Sequence, residues 1–200
     1  MDLGLKNKVA IVTGAGSQIG YGKGIVQILV REGCHIVAAD MNFEGAQKTA
    51  ADAEKQSVKA MAVKVDISKK AEVEEMIKTA IAKFGKIDIL VNNAGVSSSP
   101  GPLLNKPESD IDRDINVNLR GCINCCKAVL GHMLSNKSGK IVNISSCGAK
   151  TGGAGVGVYC AAKAGVMVFT KSLGAEVARL PDRKSGLELL TTRNPKIRVV

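Results

Sequence analysis

Five short β-branched and apolar runs, at 9–13, 35–40, 60–65, 87–92 and 140–145, alternate along the chain with longer amphipathic stretches. No other feature restricts the fold as much. A strand that is followed by a helix and then by another strand must cross over the sheet, so repeated alternation predicts parallel strands with helices on both faces. The near-continuous apolar character of the runs suits strands that are covered on both sides. Helices are expected at 22–32, 44–56, 69–84, 109–134 and 158–179; in the third, Val73, Met76, Ile77, Ala80, Ile81 and Phe84 recur at helical spacing and mark a core face. The expected fold is α/β, a doubly wound parallel sheet in a single domain over residues 1–200. Residues 180–196 are mixed and charged, and 197–200 reads as the opening of a sixth strand. A strand that begins at the last residues has nothing after it to cover it, the mark of a fragment or shortened product.

At 45% hydrophobic and 23% charged, the 200 residues can bury a sizeable core. No apolar run approaches the roughly 18 residues of a membrane span, and the first residues lack the order of a secretory signal. The expectation is a cytoplasmic protein with no membrane partner. The formal charge of +10 is scattered: from Arg179 onward six Lys or Arg face Asp182 and Glu188, giving +4 and leaving +6 over the preceding residues. Without a basic block, and with only five aromatics for stacking, the chain is not expected to bind nucleic acid. Cys34, Cys122, Cys125, Cys126, Cys147 and Cys160 show no framework spacing and read as reduced thiols. Cys122, Cys125, Cys126 and Val129 share one helix face, which suggests a packed face or a subunit contact rather than a metal site. His35 and His132 read as structural.

Three places carry chemistry. The cluster Thr13-Gly14-Ala15-Gly16-Ser17-Gln18-Ile19-Gly20-Tyr21-Gly22 follows a strand and opens a helix, where backbone N–H groups and the helix terminus can meet a pyrophosphate. A simple turn is the alternative, since Ile19 stands where the third glycine of G-x-G-x-x-G would fall. Asp40 ends the second strand, where a carboxylate can accept from both hydroxyls of an adenine ribose and would repel a 2′-phosphate; alternatively it caps the turn into helix 44–56. Tyr159 and Lys163 stand four apart on one helix face, so the ammonium could stabilise a phenolate and make the phenol usable for proton transfer. A solvated surface pair is the plainer reading. Loops at 97–102 and 148–157 follow strands, on the side where open α/β sheets meet their ligands.

These residues, with Asp66, Asn92-Asn93-Ala94-Gly95, Asn118 in Val117-Asn118-Leu119, and Ser146 placed 13 residues before Tyr159, give the chain its resemblance to the classical short-chain dehydrogenase/reductases. It resembles them from about Leu5 to about Glu176, and among them the 3-oxoacyl-carrier-protein reductases and alcohol dehydrogenases. The resemblance implies a Rossmann fold and an NAD-dependent oxidoreductase that interconverts a secondary alcohol and a ketone, with NADP the less favoured cofactor. It implies no metal. Tyr159 would be the general acid/base, Ser146 would hold the carbonyl oxygen, Lys163 would support the phenolate and bind the nicotinamide ribose, and Asn118 would position a water beside Lys163. Gly14, Gly16, Ser17, Ile19, Gly20 and Gly22 would bind the pyrophosphate, Asp40 the adenine ribose, and Asp66 and Ile67 the adenine. Asn92, Ala94 and Gly95 would line the cofactor's ribose.

Two departures from the family pattern bear on these expectations. Gln18 fills the central glycine position of TGxxxGxG unless two residues are inserted, in which case Gly20 and Gly22 take the glycine roles and Gly24 packs against the sheet. The insertion is the preferred reading. The family also continues beyond this chain's last residue with a substrate-covering helix and a seventh strand, so a dinucleotide-binding protein without turnover is the alternative function. The partner expected is a small carbonyl or alcohol substrate. A homodimer or homotetramer would pair helices 109–134 and 158–179, with the small Cys face allowing close approach.

Overall fold

The computed structural model describes residues 3–179 and 197–200. Its sheet has six strands in the order β3-β2-β1-β4-β5-β6, namely β1 (Val9–Thr13), β2 (His35–Asp40), β3 (Ala60–Lys64), β4 (Ile89–Asn92), β5 (Gly139–Asn143) and β6 (Ile197–Val199). All pairings are parallel. The doubly wound α/β expectation therefore holds. The order reverses between β1 and β4, and the crevice beyond their carboxyl ends is where such sheets take ligands. The charged stretch at 180–196 lies outside the described residues.

Alternation of side chains along the strands divides the core in two. On one face Ala10, Val12, Ile36 and Ala38 pack with Val26 and Val30 of α1 (Tyr21–Arg31) and with Ala46 and Ala50 of α2 (Phe43–Glu54). On the other, Ile11, Val37, Leu90 and Ile141 meet Met76 and Ile77 of α3 (Lys70–Phe84), Cys125 and Val129 of α5 (Gly121–Ser135), and Val166 and Leu173 of α7 (Gly157–Arg179).

The expected helix 109–134 is not a uniform α-helix. It comprises α4 (Glu108–Ile115), one π turn at Asn116–Arg120, and α5. The expected loop at 148–157 also contains a short helix, α6 (Gly148–Thr151).

The cysteine face of α5 turns inward. Cys122, Cys125 and Cys126 are at most 4% exposed and pack on the sheet, so they serve the chain's own core and cannot provide the small subunit contact. Burial pushes the Cys125 thiol up, which keeps it protonated and inert. His35 Nδ1 accepts the Lys59 N–H, and His132 Nε2 accepts the Ile87 N–H, both at 3.1 Å, so each satisfies a backbone donor. No helix among the described residues is long and apolar enough to cross a membrane.

Gly24 is exposed, and a Cβ placed on it meets nothing within 4 Å. It does not pack against the sheet; that part falls to Gly22, which is buried with its α-carbon against the Gly14 carbonyl oxygen. The two glycines should respond oppositely to alanine. Gly24→Ala, in an exposed helix interior, raises stability by about 0.5–1 kcal/mol. Gly22→Ala lowers it by about 1–3 kcal/mol through overpacking against rigid backbone. Urea midpoints of the two variants check this, and equal shifts would remove the packing role from Gly22.

Candidate active site

The glycine loop leaves β1 through Gly14, whose φ of +70° suits glycine. Thr13 ties this loop to the end of β4: its Oγ1 accepts the N–H groups of Asn93 and Ala94 at 3.1 and 3.0 Å. Asp40 ties it to β2, with Oδ2 accepting the Gly16 N–H at 2.7 Å and Oδ1 the Asn42 N–H at 2.8 Å. Through Asn42 the Asp40 carboxylate caps the turn that leads into α2, while the N-cap of the helix itself is Asn42, its side chain accepting the Gly45 N–H at 3.0 Å. Gln18 adds a third tie, its amide donating to the Gly45 carbonyl at 2.9 Å and to Thr49 Oγ1 at 3.3 Å. The longer loop thus uses Gln18 as a strut to α2, while Gly20 is the N-cap of α1 and Gly22 makes the close approach to Gly14.

Two cavities lie at the carboxyl edge of the sheet. The smaller, about 130 Å³, is bordered by Gly14, Asp40, Asp66, Ile67, Ala94 and Gly95. Within it Asp66 Oδ1 accepts both the N–H and the Oγ–H of Ser68, which fixes the turn that leads into α3. The larger, about 500 Å³, is bordered by Tyr21, Asn93, Gly95, Ser146, Tyr159 and Lys163. Gly95 and Val96 border both, so the two adjoin, and together they make up the cleft at this edge.

At the larger end Lys163 is 5% exposed. Its Nζ donates to the Ile144 carbonyl at 2.9 Å and sits 5.9 Å from the centre of the Tyr159 ring. Ser145 Oγ donates to the Lys163 carbonyl at 2.9 Å, so the end of β5 grips the lysine at its backbone and at its ammonium. A Cβ on Gly95 would come within 3.2 Å of that ammonium and 2.8 Å of Asn118 Oδ1, which leaves glycine as the residue that fits. Ser146 Oγ accepts the Gly148 N–H at 3.2 Å, leaving its own proton to give to another oxygen.

Burial holds the Lys163 ammonium below its ordinary value of 10.5, with Cys122 acting in the opposite direction. Between the depressed native value and 10.5, the unfolded chain holds a proton that the native chain has lost, so stability climbs with pH across that window. In Lys163→Met this climb disappears. Denaturant midpoints of the two proteins as pH is raised toward 10.5 check it, and parallel curves would refute it.

The sequence-predicted residues do not all converge. Asn118 is clamped: its Nδ2 donates to the carbonyls of Val96 at 2.7 Å and Asp114 at 2.8 Å, and its Oδ1 accepts the Val96 N–H at 3.1 Å. The side chain is thereby held in place beside Val96, and its Oδ1 keeps capacity for one further donor. Asn92 faces the core and donates to Asn143 Oδ1 at 2.8 Å; it borders neither cavity. Its neighbour Asn93 lines the larger one instead. Ser17 and Ile19 are exposed on the loop and border neither cavity; Ile19 lines a neighbouring groove with Gly20 and Ile28. Tyr21, which was not singled out from sequence, stands at the cleft in its place. Its position between Gly20 and Gly22 at a helix start was the available signal.

The chain matches known proteins on this same ground. The family described as short chain dehydrogenase matches residues 8–180. A protein of Thauera aromatica named as a (2S)-[(R)-hydroxy(phenyl)methyl]succinyl-CoA dehydrogenase subunit is 42% identical over 88% of this chain and 70% of its own length. The crystal structure of an NAD+-bound xylitol dehydrogenase superposes with a TM-score of 0.84 at 29% identity, over 92% of this chain and 68% of that one. The 3-ketoacyl-(acyl-carrier-protein) reductase of Brucella melitensis, solved with NADH, gives 0.82 at 35% identity, over 87% of this chain and 72% of that one. With a parallel sheet, a glycine turn at its switch point and Ser146, Tyr159 and Lys163 on one cleft, the chain belongs to the short-chain dehydrogenase/reductase family of oxidoreductases.

Proposed function

We propose that the protein uses a nicotinamide dinucleotide, NAD(H) in preference to NADP(H), to interconvert a secondary alcohol and a ketone. The observation that carries this reading is the meeting of Ser146, Tyr159 and Lys163 in one cavity that adjoins, along Gly95 and Val96, the cavity bordered by Asp40 and Asp66. The loop suits a dinucleotide, because Gly14 and Gly95 border the cleft and a Cβ at Gly14, Gly16, Gly22 or Gly95 would strike neighbouring protein atoms, so glycine lets the backbone pack closely at the edge where the ligand arrives. Gly14 and Gly16 would hold the pyrophosphate, Asp40 the adenine ribose, Asp66 and Ile67 the adenine, and Lys163 the nicotinamide ribose.

When bound, the cofactor supplies or accepts the hydride. The rest falls to the chain. Ser146 donates its free hydroxyl proton to the carbonyl oxygen and fixes that oxygen beside Tyr159. The Tyr159 phenol passes its proton to the same oxygen during reduction and recovers it during oxidation. Lys163 stabilises the phenolate left behind, from a buried position where its charge is little screened. The similar proteins' names describe alcohol or ketone groups on acyl and polyol chains, which supports this chemistry at the level of the reacting carbon.

Two copies are proposed to pair through the outward sides of α5 and α7, where Val168 is 57% exposed, and not through the buried cysteines.

Purified protein mixed with NADH and a panel comprising a 3-oxoacyl thioester, a keto sugar and an aryl ketone should consume NADH with at least one of them. Calorimetric NADH binding without turnover on any carbonyl compound would replace this reading with that of a dinucleotide-binding protein.

A further inference from the structure

Side chains alternate along a strand, and the ladder runs one residue past β5, where the Ile144 N–H donates to the Asn92 carbonyl at 2.9 Å. Ile144 and Val142 pack with the α1 side of the core, so Asn143 and Ser145 face the other way, toward α7. Asn143 Nδ2 donates to Thr170 Oγ1 at 2.9 Å, and Ser145 Oγ donates to the Lys163 carbonyl at 2.9 Å. Those two acceptors stand about two turns apart, so the strand end fastens α7 at two points.

Lys163 itself is held at both ends. The Ile144 carbonyl takes its Nζ at 2.9 Å, and the hydroxyl of the next residue takes its carbonyl. Inside an α-helix a carbonyl uses one lone pair for the helix's own ladder, which leaves the second for an outside donor. Ser145 fills that second place. Tyr159 stands one turn before Lys163 on the same helix, and Ser146 directly follows Ser145. One hydrogen bond therefore ties the strand end that carries the serine of the site to the helix turn that carries its tyrosine and lysine.

We infer that Ser145 is a positioning residue, whose hydroxyl acts through Lys163 to hold the ammonium at its 5.9 Å distance from the centre of the Tyr159 ring. The inference rests on the reaction proposed above and gives Ser145 a part in it that needs no contact with substrate or cofactor. Alanine at this position removes the tether. Threonine keeps the hydroxyl.

Two measurements on the native chain, Ser145→Ala and Ser145→Thr test the role. In the first, made without cofactor, brief treatment with acetic anhydride is followed by mass spectrometry of the acetylated fraction of Lys163. Ser145→Ala should label Lys163 about two- to tenfold faster, the factor carried by one hydrogen bond, and Ser145→Thr should label like the native chain. Labelling of Lys78, whose side chain is 76% exposed, should be the same in all three. In the second, initial rates are measured on the ketone that the native chain reduces. The kcat of Ser145→Ala should fall about two- to tenfold with the ketone KM unchanged, threonine should restore it, and on a Lys163→Met background Ser145→Ala should make no further difference. Native-like labelling of Lys163 or an unchanged kcat in Ser145→Ala, a loss that threonine does not restore, or the same loss on the Lys163→Met background would overturn the positioning role. A native chain that reduces no ketone would overturn the proposed reaction, and the labelling would then still decide whether Ser145 holds Lys163.

Discussion

Replacing Tyr159 with phenylalanine lowers ketone reduction by about 10²–10⁴ while the protein stays folded and still binds dinucleotide. The substitution removes one oxygen. Among the described residues that hydroxyl makes no hydrogen bond to the protein, so its loss leaves no buried partner unsatisfied. Ser146 remains to orient the substrate oxygen, but the phenol proposed to deliver the proton is gone. Initial rates for native and variant chains on the same ketone, with NADH affinity measured alongside, check the expectation. Equal rates would take the general acid/base role away from Tyr159.

The native chain should bind NAD(H) about 30- to 1000-fold more tightly than NADP(H), roughly 2–4 kcal/mol. Both Asp40 carboxylate oxygens already take one backbone N–H each, from Gly16 and Asn42, and each oxygen retains capacity for a ribose hydroxyl. A 2′-phosphate would bring like charge to the same spot and forfeit those contacts. Lys64, the register neighbour of Asp40 on β3, forms no ion pair with it among the described residues, and Met41 is 61% exposed with no charge to offer. Met41→Arg should narrow the preference. Asp40→Ala should weaken both cofactors, because the Gly16 N–H loses its acceptor and the glycine loop its anchor to β2. Titration of each cofactor into the three proteins tests this, and equal or tighter NADP(H) binding by the native chain would remove Asp40 from the ribose site.

The strands were readable because the sheet is covered on both faces: β1 and β2 coincide with their apolar runs, and the others differ by a residue or two at their ends. The helix stripes were equally plain, yet a stripe says that a face is buried and not against what. Cys122, Cys125 and Cys126 illustrate this, since the same pattern fits a subunit contact or the chain's own sheet, and only the crossover between β4 and β5 puts them on the sheet. The π turn at Asn116–Arg120 left no trace in the periodicity, because one widened turn shifts the helical phase too little to distinguish from ordinary scatter.

Within the site the division follows the same physics. Ser146, Tyr159, Lys163, Asp40 and Asp66 stand at or just beyond strand ends or on a helix that packs beside them, and parallel strands carry such residues to one edge whatever their loops do. Their order and spacing in the sequence therefore sufficed to place them at that edge. The choice between Asn92 and Asn93 turned on strand parity at the last rung, where one residue faces the core and the next the cleft. Gly22 and not Gly24 touches the Gly14 carbonyl because Gly20 caps α1 and so sets the helix phase. That phase also brings Tyr21 to the cleft and leaves Ile19 outside. The sequence alone determined the sheet, the crossovers and the residue types available to the chemistry, since these depend on local pattern. The tertiary structure decided which neighbour of each pair reaches the cleft, because a rotation of one residue about a strand or helix axis exchanges core for cavity and only packing against the rest of the chain selects between them.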